Sequence, residues 1–135
     1  MFKIFRKSKK KNAEDTTKQI IDFAVEEYRF LKSYSSLLNK ILPEERQKYK
    51  ATYDFHIKKI QEIMEECKLK IVELENKEFN DGLSIIALNM EDFNKEDKLI
   101  IQQVIEPLII STIDGTIMKS GTVILEKKNE DVGEN

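Results

Sequence analysis

Apolar positions change period once along this chain, and the change divides it. Through about Leu69 they recur every three or four residues; beyond it they gather in short β-branched blocks. Between Asp15 and Leu42, the residues Ile20, Ala24, Leu31, Leu38 and Leu42 fall on one helical face. Phe23, Phe30, Leu37 and Ile41 form a second, offset stripe, and Tyr28 and Tyr34 extend the two faces. Asp15, Thr16 and Thr17 offer N-cap oxygens, and Pro43 is expected to stop the helix. A helix apolar over so wide an arc is normally packed on two sides. A second helix is expected from Glu44 to Leu69, with Pro43 at its start and Glu44 and Glu45 near the positive end of its dipole. Its seam reads Tyr49, Tyr53, Ile57, Ile60, Met64, Cys67 and Ile71, opposite a face of Lys58, Lys59, Glu62, Glu65 and Glu66. The short connection implies an antiparallel hairpin. Two helices bury little alone, so a homodimeric four-helix bundle is the economical completion.

From about Lys70 the period shortens. Ile71 to Glu75 alternates in part, Leu83 to Leu88 is an apolar run, and Leu99 to Ile105 is another. Residues 76–82 and 91–98 read as loops. Pro107 marks an edge or a bulge, because it cannot donate to a ladder. Asp114-Gly115 sits between two apolar runs, the signature of a two-residue type I′ hairpin with positive φ at both positions. Gly121 opens a last run, so the chain is expected to end in antiparallel sheet. The fold class is α+β: an N-terminal helical hairpin, then a small C-terminal all-β domain built as a compact sheet, sandwich or partly open barrel. The expected organisation is a disordered basic leader over residues 1–14, the helical and dimerising region over 15–69, the β-domain over 70–128 and a charged tail over 129–135.

Charge adds one feature to this outline. The 135 residues carry a net charge of -2, yet residues 3–11 hold Lys3, Arg6, Lys7, Lys9, Lys10 and Lys11, so the remainder is net -8. An acidic body argues against nucleic acid as the ligand. The leader, with Phe2, Ile4 and Phe5 among its basic groups, reads as a solvated segment or as a weak contact with anionic membrane through residues 1–12. No signal peptide or membrane span is legible. The single cysteine, Cys67, excludes an intrachain disulfide and points to a reducing, cytoplasmic setting.

Candidate chemistry is sparse. His56 is the only histidine and lies beside the second helix's seam, where a structural role is expected. One His and one Cys eleven positions apart follow no metal or nucleophile-base spacing. Glu91, Asp92, Glu96 and Asp97 lack the central glycine and alternation of a Ca²⁺ loop, and the chain has only four glycines, with no phosphate-cradling run. No catalytic residue, cofactor or metal is expected, and the chain reads as a non-enzyme.

Two local patterns carry a family resemblance. Ile117-Met118-Lys119-Ser120-Gly121-Thr122-Val123-Ile124-Leu125 has the outline of two aliphatics, Arg-Pro-Ala, any residue, then Val-x-Val, with Lys119 in place of Arg and Ser120-Gly121 in place of Pro-Ala. Ile71, Leu74 and Phe79-Asn80-Asp81 fit an aliphatic pair followed by Phe-Asp-Pro. Departures are that Ser84-Ile85 stand where His-Glu would fall, and Pro107-Leu108 where a Gly-Tyr would. With a helical first half and a terminal β-domain over residues 16–127, the chain resembles GrpE, the nucleotide exchange factor of DnaK-type chaperones, although its helical part is shorter than that family's usual stalk. The resemblance implies a helix-held homodimer whose β-domain opens a chaperone ATPase and speeds ADP release. The terminal hairpin, Asp114, Gly115, Met118, Lys119 and Ser120, would meet that protein partner. Phe23, Phe30, Leu37, Ile41, Tyr49, Tyr53, Ile57, Ile60 and Met64 would form the dimer interface. The alternative is a scaffold or adaptor that docks on anionic membrane through its leader and binds a partner by strand addition.

Overall fold

A computed structural model describes residues 9–80 and 82–129, with side chains from Glu14 onward. The expectations for residues 1–8 and for the tail from 130 lie outside the described residues. The fold is α+β and divides into two compact units, residues 1–67 and 68–135.

The first unit is a pair of helices, α1 (Lys9–Leu38) and α2 (Pro43–Glu66), packed against each other. Helix α1 starts before the expected Asp15 and stops before the expected Leu42. Its end is decided by a side chain from the next helix. Arg46 Nε donates to the carbonyl of Leu38 at 2.8 Å, and its Nη2 donates to those of Ile41 and Asn39 at 3.2 and 3.5 Å. The guanidinium thus satisfies carbonyls that a helix end leaves without partners. Pro43 then opens α2, where its missing N–H costs nothing. Ile21, Ala24, Val25, Tyr28, Leu31 and Leu38 are buried on α1, a spacing near 3.5 residues. On α2 only Met64 is fully buried. The Tyr34 ring stacks on Tyr53 at 6.5 Å, and its hydroxyl donates to the carbonyl of Tyr49 at 3.3 Å, which sets the two helices side by side. Helix α2 ends at Glu66, short of the expected Leu69. Lys68 adopts φ 60 immediately after the Cys67 cap, a left-handed conformation that helix ends usually give to glycine.

The second unit contains β1 (Leu69–Val72), β2 (Ile85–Ala87), a short 3-10 turn (Met90–Asp92), β3 (Leu99–Glu106), β4 (Leu108–Ser111), β5 (Ile117–Lys119) and β6 (Gly121–Lys127). They form two three-stranded sheets, ordered β1-β4-β5 and β2-β6-β3. The first is antiparallel. The second is mixed, because β6 runs antiparallel to β3 and parallel to β2. The expectation of a purely antiparallel end is corrected here: β2 lies on the far side of β6 from β3, and the long path from Ala87 to Gly121 lets the two strands share a direction.

Buried Pro107 separates β3 from β4 and lets the chain pass from one sheet to the other. Ile101, Ile109 and Val123 are fully enclosed, with Leu69, Leu74, Leu99, Val104, Leu108 and Leu125 around them. β6 alternates cleanly: Gly121, Val123 and Leu125 are buried, and Thr122 and Ile124 lie on the other face. A Cβ at Gly121 would meet Leu108 Cβ at 3.2 Å and Leu74 Cδ1 at 3.3 Å, so a larger residue there would press on both neighbours. The outer edge of β3 is covered by residues 76–79, which exchange backbone hydrogen bonds with Leu99 and Ile101.

Candidate functional site

The β4–β5 hairpin carries the residues expected to meet a partner, and it is wider than a two-residue turn. Residues 112–116 join the strands, closed by the Ser111 N–H to the Thr116 carbonyl at 2.8 Å and the Gly115 N–H to the Ser111 carbonyl at 2.9 Å. Only Gly115 takes positive φ, at 75, so the type I′ expectation, which needs Asp114 there too, is corrected. Side chains hold the longer loop: Ser111 Oγ accepts from the Ile113 N–H at 3.2 Å, and Asp114 Oδ1 accepts from the Thr116 N–H at 3.0 Å. The Thr116 hydroxyl, and then its backbone N–H, keep the Asp114 carboxyl below the ordinary value of 3.8.

This loop presents an apolar end. Ile113 is 77% exposed, and Ile117 and Met118 are also open to solvent. Ser120 is exposed as well. Lys119 already has a partner within the chain: its Nζ lies 3.3 Å from Glu106 Oε1, which also accepts from the Thr122 hydroxyl at 3.3 Å. It donates to the Ser120 carbonyl too. An acidic partner would have to compete with Glu106 for this amine. Hairpin residue Ile113 was not singled out by sequence reasoning, because a lone isoleucine in a turn has no periodic pattern to mark it.

The helical unit offers a second apolar surface. Phe23, Phe30 and Leu37 are 68%, 64% and 60% exposed and sit seven residues apart on α1. Half-buried Ile20, Glu27 and Tyr34 fall between and beside them, giving alternating steps of three and four from 20 to 37; Ile41, expected on the same stripe, lies beyond the helix end at Leu38. This full heptad series was legible in the sequence but is obscured there by Glu27. Phe30 and Tyr34 stack with centroids 6.5 Å apart. On α2, Tyr49 is exposed, Tyr53, Ile57 and Ile60 are half-buried, and Met64 is enclosed within the single chain. Met64 therefore belongs to the chain's own core, whereas Phe23, Phe30 and Leu37 of α1 are open to solvent.

His56 is exposed and meets the Phe55 ring edge-on at 5.5 Å. Cys67 is half-buried at the α2 cap. Among the described residues no group of three or more His, Cys, Asp or Glu is placed to hold a metal ion. Among them, too, no helix is long and apolar enough to cross a membrane. The proposed membrane contact falls on residues 1–12, whose side chains are outside the described part. No family model, curated protein or solved structure matches the chain.

Proposed function

We propose that this chain is a GrpE-like co-chaperone, a non-enzymatic cytoplasmic homodimer that binds a DnaK-type chaperone ATPase through its β unit and promotes ADP release. The observation that carries the reading is the exposure of Ile113 in the hairpin loop and of Ile117 and Met118 on β5, the strand that begins the family-like stretch from Ile117 to Leu125. Large apolar side chains left in water around one hairpin are suited to contact with a partner's apolar surface. The exposed α1 heptad supports pairing of two copies through their helices. Exchange by this route needs no catalytic group. The β unit binds the open, nucleotide-free state of the ATPase more tightly than the closed one, and that difference in affinity shifts the ATPase toward release.

The test is release of a fluorescent ADP analogue from each DnaK-type chaperone of the source organism, with and without this protein. Release several-fold faster is expected, with Ile113→Asp abolishing most of the gain while leaving the thermal melt unchanged. No acceleration and no complex with any chaperone of confirmed activity would overturn the reading.

A further inference from the structure

We infer that α1 pairs with α1 of a second copy in antiparallel orientation, the two helices meeting at Phe30, so that the acidic first half of each lies along the basic second half of the other. The inference rests on the homodimer proposed for this chain and adds the direction in which its copies pair.

Three features of α1 select this partner and this direction. First, its exposed apolar residues are placed symmetrically. Phe23, Phe30 and Leu37 are spaced by seven and all three lie in solvent. A copy turned end for end about Phe30 therefore brings Phe30 onto Phe30 and Phe23 onto Leu37. Every layer of the stripe stays apolar, and both copies use the same patch, as a closed twofold pair requires.

Second, the charges are divided by position. Residues 14–27 hold Glu14, Asp15, Asp22, Glu26 and Glu27 against Lys18 alone, a net charge of -4. Residues 28–40 hold Arg29, Lys32 and Lys40 with no acid, a net charge of +3. A face that is acidic at one end, basic at the other and apolar between is complementary to itself when reversed. Two copies side by side in the same direction would instead set acid along acid and base along base. Asp22, Glu26 and Arg29 are exposed, and Arg29 Nη1 meets Glu26 Oε1 within the chain at 3.5 Å with both groups in solvent. An exposed pair of that kind holds little, so either group exchanges it readily for a partner across an interface.

Third, Glu27 interrupts the heptad series between Phe23 and Phe30. In a twofold parallel pair each residue meets its own copy, so two Glu27 carboxylates would stand together beside apolar rings, a like-charge contact that disfavours that arrangement. In the reversed pair each position meets the one equally far beyond Phe30. Glu27 then falls opposite Ser33 of the second copy, one position from that copy's Lys32.

Spin labels on the full chain read the direction. In a Cys67→Ser background with an unchanged melting temperature, one variant carries the label at Gln19→Cys and another at Ser33→Cys, both exposed positions. At about 1.5 Å of rise per residue, the reversed pair sets the two labels at 19 about 33 Å apart along the axis and those at 33 about 9 Å apart. A parallel pair separates the labels at either position by the interaxial distance alone, about 8–10 Å. Dipolar EPR at high protein concentration is expected to give a long distance at 19 and a short one at 33. Short distances at both would overturn the inference and leave the homodimer standing. Long distances at both would move the pairing to another surface, and no coupling between copies at either position would remove the homodimer; each overturns the inference. The unlabelled parent chain gives a second reading. Its dimer dissociation constant in sedimentation should rise about threefold or more between about 50 and about 500 mM salt, because salt screens attraction between opposite ends. A parallel pair, whose like ends repel, would tighten instead, and that result would overturn the inference as well.

Discussion

At the scale of single residues, Arg46 and Asn89 act through bonds that their own neighbourhood in the sequence does not announce. Arg46 closes the end of α1 from eight residues away. Arg46→Ala should cost about 1–2 kcal/mol by urea melt, because charge-assisted bonds exceed neutral ones but water takes over part of their role here. Arg46→Lys should recover only part of it, since one ammonium cannot span three carbonyls. Asn89 acts as a surrogate strand residue: its Nδ2 donates to the Leu125 carbonyl at 2.8 Å, and its Oδ1 accepts from the Leu125 N–H at 2.9 Å. Asn89→Ala should destabilise by about 1–3 kcal/mol, read in the same melt, because both groups of Leu125 lose a partner in a part-buried place. Lys68 holds φ 60 with an exposed side chain, so Lys68→Gly should be neutral to stabilising by about 1 kcal/mol, against the usual direction for glycine. Asp114 gives a pH signature. Its folded carboxyl titrates below 3.8, so its contribution is complete above that pH and is lost as the pH falls through the folded value. Protection of the Thr116 amide against exchange should hold from neutrality to about pH 4 and fall only below it, whereas in Asp114→Ala it should be weaker throughout.

Elements show where local pattern is sufficient and where it is not. Both helices follow the apolar period, yet α1 ends four residues early, because the stop comes from Arg46 and not from Pro43. The Asp-Gly hairpin exists, but its width follows from the Ser111 and Asp114 side-chain bonds, which a dipeptide rule leaves out. Two stripes on α1 were separable by spacing alone; which one the chain buries in itself was not, because both have the composition of a core. The structure buries Ile21, Ala24, Tyr28 and Leu31 and leaves Phe23, Phe30 and Leu37 in water. Phe30→Glu should therefore leave the single chain folded, and under the proposed pairing it should lower the sedimentation coefficient relative to the parent chain at equal concentration. Met64→Ala should instead act within the chain, costing about 2–5 kcal/mol, because it empties an enclosed site.

For the molecule as a whole, pairing through α1 predicts that amide exchange in α1 and α2 slows as protein concentration rises, by mass action, while exchange in β3 and β6 does not respond. The order of a helical half before a β half was readable because it depends on period alone, three to four and then two, which every residue in a segment repeats. The strand positions were readable within a few residues for the same reason. The candidate hairpin was readable in place, since glycine at positive φ is a local demand. The partition into two sheets, the parallel pairing of β2 with β6, and the capture of Lys119 by Glu106 were decided only by tertiary structure. Lys119 and Glu106 are thirteen positions apart, the β2–β6 partners thirty-six and the β1–β4 partners thirty-six to forty-two, and no local preference of either partner specifies the other.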